Sequence, residues 1–105
     1  MDCIFCKIIA GEIPTNILYQ DERVIAFPDV NPAAPTHLLI VPRKHIPSLN
    51  HLAEGESSLI GDMANIATQL AKRVGISESG YRLVINCGWP GQSVPHLHMH
   101  LLGGR

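Results

Sequence analysis

The chain has 105 residues, of which 46% are hydrophobic, and this is enough for one domain with a real core. Eight basic residues against nine acidic ones give a formal net charge of −1, which argues against binding nucleic acid through bulk charge. The first residues lack an export-signal pattern, and no apolar run approaches the ~18 residues of a membrane span. Three cysteines without a disulfide-framework spacing favour a reducing compartment. We therefore expect a single domain over residues 1–105, in the cytoplasm, with neither nucleic acid nor membrane as a partner.

Two stretches have the features of helices. Residues 2–10 predict a short helix with Asp2 as its N-cap and Gly11 as its stop. Residues 56–74 repeat apolar side chains at helical spacing and are followed by Gly75, a residue suited to the turn after a helix. Nothing on the polar face of the longer helix converges, so we assign it a packing role.

The remaining regular pattern is that of strands, either alternating or continuously apolar. Five stretches show it: 17–20, 24–27, 37–42, 81–87 and the segment from residue 96 onward. The order along the chain is helix, three strands, helix, two strands. That order is typical of an α+β domain with an antiparallel sheet.

Three histidines, His96, His98 and His100, alternate with apolar residues near the C-terminus. Because a strand has a side-chain period of two, they are expected to share one face, with successive rings roughly 7 Å apart. A lone histidine is most often buried and hydrogen-bonded, but three on one face repel each other when protonated and need partners when buried. The cluster indicates a metal site, acid–base chemistry or a histidine nucleophile.

A glycine-rich loop, residues 88–93, precedes these histidines. Such a loop lets backbone N–H groups approach an anion, and Ser93 adds a hydroxyl. With His98 and His100 beside it, the loop can line a pocket for a phosphate. A neutral imidazole is a competent nucleophile at phosphorus near neutral pH, and its attack gives a covalent phosphoryl-imidazole.

Cys3 and Cys6 stand three residues apart, on one face of the first predicted helix. Three interpretations are open: two small buried residues, a redox pair, or half of a zinc site completed by two histidines. The redox pair is disfavoured because the thioredoxin-like βαβ context is missing. Asp29 follows a strand, and it fits a ligand contact or an Asx turn equally well.

The stretch His96-Leu97-His98-Met99-His100-Leu101-Leu102 resembles the signature of the histidine-triad (HIT) superfamily. Further stretches are similar to its Hint branch, and they cover nearly the whole chain: 8–9, 12–14, 26–30, 34–37, 80–82 and 91–94. The resemblance implies an α+β fold with a five-stranded antiparallel sheet, one short helix and one long helix. It also implies a homodimer that extends the sheet across a two-fold axis.

The resemblance implies the activity of a purine nucleoside phosphoramidase. Such enzymes cleave the P–N bond of adenosine or guanosine 5′-phosphoramidates and of nucleotidylated lysine, releasing AMP or GMP and an amine. By this analogy His98 is the nucleophile, His100 binds the phosphate, and the backbone carbonyl of His96 orients the His98 ring. Ser93 serves the phosphate and the leaving amine, and His37 stands behind the triad.

The nucleotide would be held by residues from several stretches. Asp29 is implied on the ribose hydroxyls. The other implied contacts are Ile13, Phe27, Pro28, Val30, Asn86, Gly91, Gln92 and Val94. Pro28 replaces the more usual His or Arg beside the base. Many members continue past the position of Arg105 in a tail that shapes leaving-group preference, so that preference stays open.

Many bacterial members resembling this chain bind zinc through an N-terminal Cys-x-x-Cys and two histidines. Here those ligands would be Cys3, Cys6, His45 and His96. Such a set is a closed tetrahedron, so the metal would be structural, and catalysis would require no cofactor.

Three other functions are kept beside the phosphoramidase. The first is another HIT nucleotide hydrolase or nucleotidyltransferase. The second is a zinc-stabilised nucleotide-binding module without significant catalysis, which would bind nucleotide and turn nothing over. The third is a metal-binding protein that uses all three histidines as ligands and does not bind purine nucleotides.

Overall fold

Within residues 3–104, one antiparallel sheet of five strands carries two α-helices, one on each face. The computed structural model describes residues 3–104. Its elements in chain order are α1 (Ile4–Ile9), β1 (Tyr19–Gln20), β2 (Val24–Pro28), β3 (Thr36–Pro42), a 3₁₀ turn (Leu49–His51), α2 (Ser57–Arg73), β4 (Tyr81–Val84) and β5 (Met99–Gly103). The α+β class with a five-stranded antiparallel sheet is therefore confirmed.

The strands lie in the order β1-β2-β3-β5-β4, so the C-terminal strand is inserted beside the central one. In the register of β3 and β5, Leu39 faces His100 and Ile40 faces Met99. On its other side β5 pairs with β4, where Val84 faces His100. This register brings His100 between two neighbouring strands, in the middle of the sheet rather than at an edge.

One face of the sheet packs against α2. The buried side chains of the helix, including Leu59, Met63 and Leu70, meet those of β3 and β5 in one apolar cluster. Met99 and Leu101 of β5 belong to this cluster, so the apolar half of the alternation points toward the helix. Burying each such side chain contributes roughly 1.5–3 kcal/mol, and α2 has the packing role predicted for it.

The opposite face is covered by α1. Phe5 and Cys3 form a second apolar cluster with residues of β2 and β3, among them Phe27, Leu39 and Val41. The histidines point to this side, as the two-residue period predicts. The short helix is thus the cover of the histidine face, and its side chains are close neighbours of the histidines.

Several boundaries differ from the predicted ones. The histidine strand begins at Met99, so His96 and His98 precede it. Two residues further along the β3–β5 register, Leu97 would lie opposite Pro42, which has no N–H to donate. Leu97 donates instead to the carbonyl of Ile46, at 2.7 Å. The strands predicted at 17–20 and 81–87 are likewise shorter.

The first helix also begins differently. Asp2, the predicted N-cap, lies outside the described residues. Cys3 occupies the cap position, and its Sγ accepts a hydrogen bond from the backbone N–H of Cys6 at 3.4 Å. The longer helix ends as predicted, with Gly75 at φ 83° just beyond it. Among the helices of residues 3–104, none has the length and apolarity needed to cross a membrane.

Candidate active site

The backbone of the histidine segment fixes the ring of His98. Its Nδ1 lies 2.7 Å from the carbonyl oxygen of His96, and because that oxygen can only accept, Nδ1 carries the proton. In a neutral ring the other nitrogen, Nε2, then holds a lone pair. His98 is buried at 3% exposure, and Phe5 packs edge-on against it at a ring-centroid distance of 5.0 Å. The arrangement presents one orientation of one tautomer, which is what a nucleophilic imidazole requires.

A second chain of hydrogen bonds fixes the ring of His100. The backbone N–H of Ala33 donates to Nδ1 of His37 at 2.9 Å, so the neutral His37 ring carries its proton on Nε2. That Nε2 lies 2.8 Å from Nδ1 of His100 and donates to it. His100 therefore carries its own proton on Nε2, an atom that is buried and has no hydrogen-bond partner among the described residues. A buried, unused donor beside His98 suits an anionic ligand.

Burial sets the electrostatics of both rings. It lowers the pKa of His98 and of His100 below the ordinary 6.5, because the charged form loses its hydration. The carboxylate of Asp29 acts in the opposite direction on both pKa values. Asp29 also accepts from the backbone N–H of Asn31 at 2.8 Å, so the Asx turn is present as well as the site contact. Near neutral pH both rings are neutral.

A cavity of about 190 Å³ opens beside His98 and His100. Many of the predicted nucleotide contacts line it: Phe27, Pro28, Asp29, Val30, Ser93 and Val94. Val30 is 86% exposed at the rim of this cavity, where its side chain is free to contact a ligand. The structure therefore brings together, at one cavity, residues from β2, the loop after it, the glycine-rich loop and the histidine segment.

Four of the predicted nucleotide contacts lie elsewhere. Asn86 lines a neighbouring open cavity together with His37 and His100, and Ile13 and Gly91 line neither cavity. The side-chain amide of Gln92 donates to the carbonyls of Pro47 and Val94, and its oxygen accepts from the N–H of Gly88. Gln92 thus holds the glycine-rich loop together, and its polar atoms are already used.

A second cluster unites the predicted metal ligands. Cys3, Cys6, His45 and His96 each offer one donor atom, and these atoms all lie within 4.8 Å of one another. Sulfur–nitrogen distances are 3.2 Å for Cys6 and His45, 3.4 Å for Cys3 and His96, and 3.6 Å for Cys6 and His96. The two Nδ1 atoms of His45 and His96 lie 3.1 Å apart.

This donor set fits zinc. A tetrahedral ion with Zn–S bonds of about 2.3 Å and Zn–N bonds of about 2.0 Å has donor–donor edges of roughly 3.3–3.8 Å. Nε2 of His96 lies 2.8 Å from the carbonyl of Pro42 and donates to it, so in the neutral ring the lone pair of Nδ1 points into the cluster. Burial lowers the pKa of His96, which keeps the ring in this neutral, ligating form.

Comparison with known proteins agrees with this geometry. A family model described as "Scavenger mRNA decapping enzyme C-term binding" matches residues 2–105. An HIT-like protein of Buchnera aphidicola is 50% identical over 103 residues, covering 97% of this chain and 92% of the relative. The chain belongs to the histidine-triad family. The purine nucleoside phosphoramidase of Escherichia coli K12 is 49% identical over 105 residues, covering 99% of this chain and 88% of the enzyme.

Solved structures of histidine-triad proteins superpose closely on this one. A HIT family hydrolase of Legionella pneumophila gives a TM-score of 0.94 at 48% identity, covering 99% of this chain and 94% of the other. A histidine triad protein of Clostridium difficile gives 0.95 at 46% identity, covering 100% and 92%. The likeness therefore extends over nearly the whole fold.

Sequence reasoning missed part of this histidine-triad site. The cavity wall includes Ile4, Phe5 and Ile8 of α1, which the pattern assigned to general packing, and Thr15 of the following loop. Phe5 touches the rings of both His96 and His98. The signal available was that α1 is short and apolar on more than one side, so part of its surface had to cover something other than the main core.

Proposed function

We propose that the chain is a hydrolase of purine nucleoside 5′-phosphoramidates that acts through a covalent nucleotidyl-His98 intermediate. The observation that carries the proposal is the hydrogen bond from Nδ1 of His98 to the His96 carbonyl, which leaves an Nε2 lone pair at the cavity. The 49% identity to the E. coli enzyme named purine nucleoside phosphoramidase supports the same activity. The name of that enzyme specifies a purine nucleoside and a P–N bond, and both are part of the activity that we propose.

The reaction has two displacements at phosphorus. In the first, the Nε2 lone pair of His98 forms a bond to phosphorus while the P–N bond to the amine breaks, and the departing amine takes up a proton. The exposed hydroxyl of Ser93, on the same cavity wall, is suited to relay that proton from water. In the second, water attacks phosphorus and releases a proton to the solvent, the bond to His98 breaks with its electron pair returning to Nε2, and the nucleoside monophosphate leaves. The Nε2–H of His100 stabilises the phosphoryl oxygens in both steps.

The nucleoside part of the substrate would lie against the outer cavity wall. Its apolar residues, Phe27 and Val30 among them, offer flat contact to a purine, and Asp29 offers a carboxylate to the ribose hydroxyls. The family resemblance alone supports Ile13 as a further base contact, since Ile13 does not line this cavity. It also supports the backbone at Gly91 and the side chain of Asn86 as phosphate contacts, and of these two Asn86 lines the open cavity beside His100.

The decisive experiment follows turnover of adenosine 5′-phosphoramidate while the mass of the intact protein is recorded. Wild-type protein is expected to hydrolyse the substrate and to carry one nucleotidyl group transiently. His98→Ala is expected to lose both, and His98→Gly to regain hydrolysis when imidazole is added to the buffer. Turnover by His98→Ala at the wild-type rate would refute the nucleophile.

The same assay separates the other functions. Tight purine-nucleotide binding without turnover by the wild type would identify a binding module. Faster cleavage of dinucleoside polyphosphates than of phosphoramidates would identify a different HIT chemistry. Absence of nucleotide binding would favour a metal-binding protein.

We further propose that Cys3, Cys6, His45 and His96 hold a structural zinc ion. Their side chains leave no fifth donor at the cluster among the described residues, so the metal would stiffen the fold and would not meet the substrate. Free thiols in this site require the reducing cytoplasm, which is where we expect the protein and where fractionation of cells would find it. Metal analysis of protein purified without chelator should give about one zinc per chain, and less than about a tenth would reject the site.

We also propose that the protein is a homodimer built at β4. This strand ends the sheet order, and its outer edge is unpaired among the described strands. Such an edge can pair with the same strand of a second copy and continue the sheet. Sedimentation equilibrium is expected to give the mass of two chains, and a single-chain mass at all concentrations would contradict the dimer.

A further inference from the structure

A second cavity adjoins the proposed active site. It has a volume of about 320 Å³, and the residues that matter for its chemistry are Pro47, Ser48, His51, Trp89, Ser93 and Pro95. Ser93 lines this cavity and also the one that contains His98 and His100. The two cavities therefore meet at the residue whose hydroxyl lies on the wall of the reaction site.

Trp89 is 84% exposed, although a buried indole would contribute more to stability than any other side chain of this loop. The loop that carries it is well anchored. Within the loop, the backbone N–H of Gln92 donates a hydrogen bond to the Gly88 carbonyl at 2.9 Å. The Gln92 side chain makes further hydrogen bonds to the backbone of Gly88, Pro47 and Val94. The indole is thus held out over the second cavity by a fixed loop, without protein to cover it.

We propose that this second cavity binds the amine leaving group of the substrate, and that Trp89 stacks on an aromatic ring of that amine. The inference rests on the proposed phosphoramidase function and names the class of amine it prefers. In-line displacement requires the leaving nitrogen to depart away from the attacking His98. His98 does not line the second cavity, whereas Ser93 does, as the leaving-group side requires.

The chemistry of the walls selects the ligand. An indole and two prolines, Pro47 and Pro95, give flat apolar surfaces. None of the described residues that line the cavity is acidic, so it offers no counter-charge for an amine that carries a second, cationic group. An uncharged arylalkylamine fits these walls best, because aromatic pairs gain from stacking beyond the area that they bury.

The test compares three adenosine 5′-phosphoramidates, made with ammonia, 2-phenylethylamine and 2-cyclohexylethylamine. The phenyl and cyclohexyl compounds match in size and differ in aromaticity. For Trp89→Ala, the ratio of kcat/KM for the phenyl compound to that for the ammonia compound is expected to fall roughly five- to tenfold. Trp89→Phe should restore most of the ratio, and the cyclohexyl compound should lose less than the phenyl compound. Val74→Ala, an exposed apolar residue at the end of α2, is the control and keeps the wild-type ratio.

Equal loss on all three compounds in Trp89→Ala would overturn the inference, because it would mean general damage to the loop. A second arm does not depend on turnover. The chain has one tryptophan, so its emission reports on Trp89 alone. In His98→Ala, the phenylethyl compound is expected to quench or shift that emission and the ammonia compound is not. If wild-type protein cleaves none of the compounds, the phosphoramidase proposal fails. The tryptophan emission then tests separately whether the second cavity binds the phenylethyl group, and an unchanged spectrum would show that it does not.

Discussion

The backbone N–H of Ala33 determines, through His37, which nitrogen of His100 carries the proton. The N–H of Ala33 donates to His37, which therefore donates to Nδ1 of His100 and leaves the Nε2–H of His100 for the substrate. His37 lies behind His100 in this arrangement, and we propose that it acts as a positioning residue. Replacing it frees His100 to adopt the other tautomer, in which Nε2 repels an anionic oxygen instead of binding it.

His37→Ala is accordingly expected to lower kcat about 10- to 100-fold and to change KM less. His37→Gln keeps an acceptor for Ala33 and a donor for His100, so it should recover part of the loss. Nitrogen-15 NMR of the His100 ring gives a readout that structural damage would not mimic, since it distinguishes the two tautomers. An unchanged tautomer in His37→Ala would contradict the relay.

The pH dependence follows from the same rings. Only a neutral His98 has a lone pair at Nε2, so activity falls as the pH drops through its pKa. Burial lowers that pKa, and the acid limb of the kcat profile is expected below 6.5. The carboxylate of Asp29 raises the pKa of both His98 and His100, while the His37 ring has the opposite effect.

Asp29→Asn should therefore move the acid limb of kcat to still lower pH. Loss of a ribose contact in this variant would appear in KM and leave the position of the kcat limb unaffected. A limb that moves toward higher pH in Asp29→Asn would contradict this assignment of signs.

The identity of these residues could be predicted from the alternation, but their partners could not. His98 and His100 follow from the pattern alone, and the role of the His96 carbonyl as hydrogen-bond acceptor for His98 follows from the resemblance. The relay through His37 depends on the loop at Ala33 returning to the sheet, which is a tertiary contact without local signal. Gln92 shows the same limit, since nothing in its sequence context reveals that its amide ties the loop to Pro47.

Two glycines within secondary-structure elements differ in the space around them, one being crowded and the other open. A Cβ at Gly103 in β5 would lie 2.6 Å from Cδ1 of Ile76 and 3.3 Å from the carbonyl of Gly80. Ile76 is itself buried, so it cannot move away freely. Gly61 in α2 is exposed, and a Cβ there would meet nothing within 4 Å.

The two alanine variants are thus expected to have opposite signs. Gly103→Ala should lower the free energy of unfolding by about 1–3 kcal/mol through overpacking. Gly61→Ala should raise it by roughly 0.5–1 kcal/mol, because glycine is a poor helix former. Urea unfolding of both variants measures the difference, and a stabilised Gly103→Ala would show that the sheet–loop contact yields more easily than its distances imply.

Element boundaries were predicted less well than element types, for an identifiable reason. The strand pattern continues back to His96 in sequence, but a proline at position 42 removes the donor that would extend the β3–β5 ladder. β4 ends at Val84, opposite His100, one residue before the register would reach Met99 at the start of β5. A sequence pattern reports on a single strand, whereas the residue at which a strand ends depends on hydrogen bonding to the neighbouring strand.

The cysteine–histidine cluster joins parts of the chain that are far apart in sequence. Cys6 belongs to α1, His45 follows β3, and His96 precedes β5. His96 also supplies the carbonyl that orients His98, so one residue stands in both the cluster and the reaction site. A metal ion here would hold α1 against the histidine face, where Phe5 contacts His98.

Removing zinc is therefore expected to destabilise the whole molecule. Zinc that binds the folded chain about a hundredfold above its dissociation constant contributes roughly 2.7 kcal/mol, which corresponds to a fall in Tm of roughly 10 °C or more on chelation. Cys6→Ser should lose the metal and show the lowered Tm without chelator. Cys87→Ser is the matched control, since this exposed cysteine lies outside the cluster and its variant should keep both the zinc and the response to chelator. Calorimetry with metal analysis on the same samples measures both quantities.

Because burial and the neighbouring Cys3 raise the pKa of the Cys6 thiol, zinc must displace its proton to bind. Metal affinity should accordingly weaken as the pH is lowered, and a Tm that ignores chelator at every pH would show that the four side chains hold the fold without a metal.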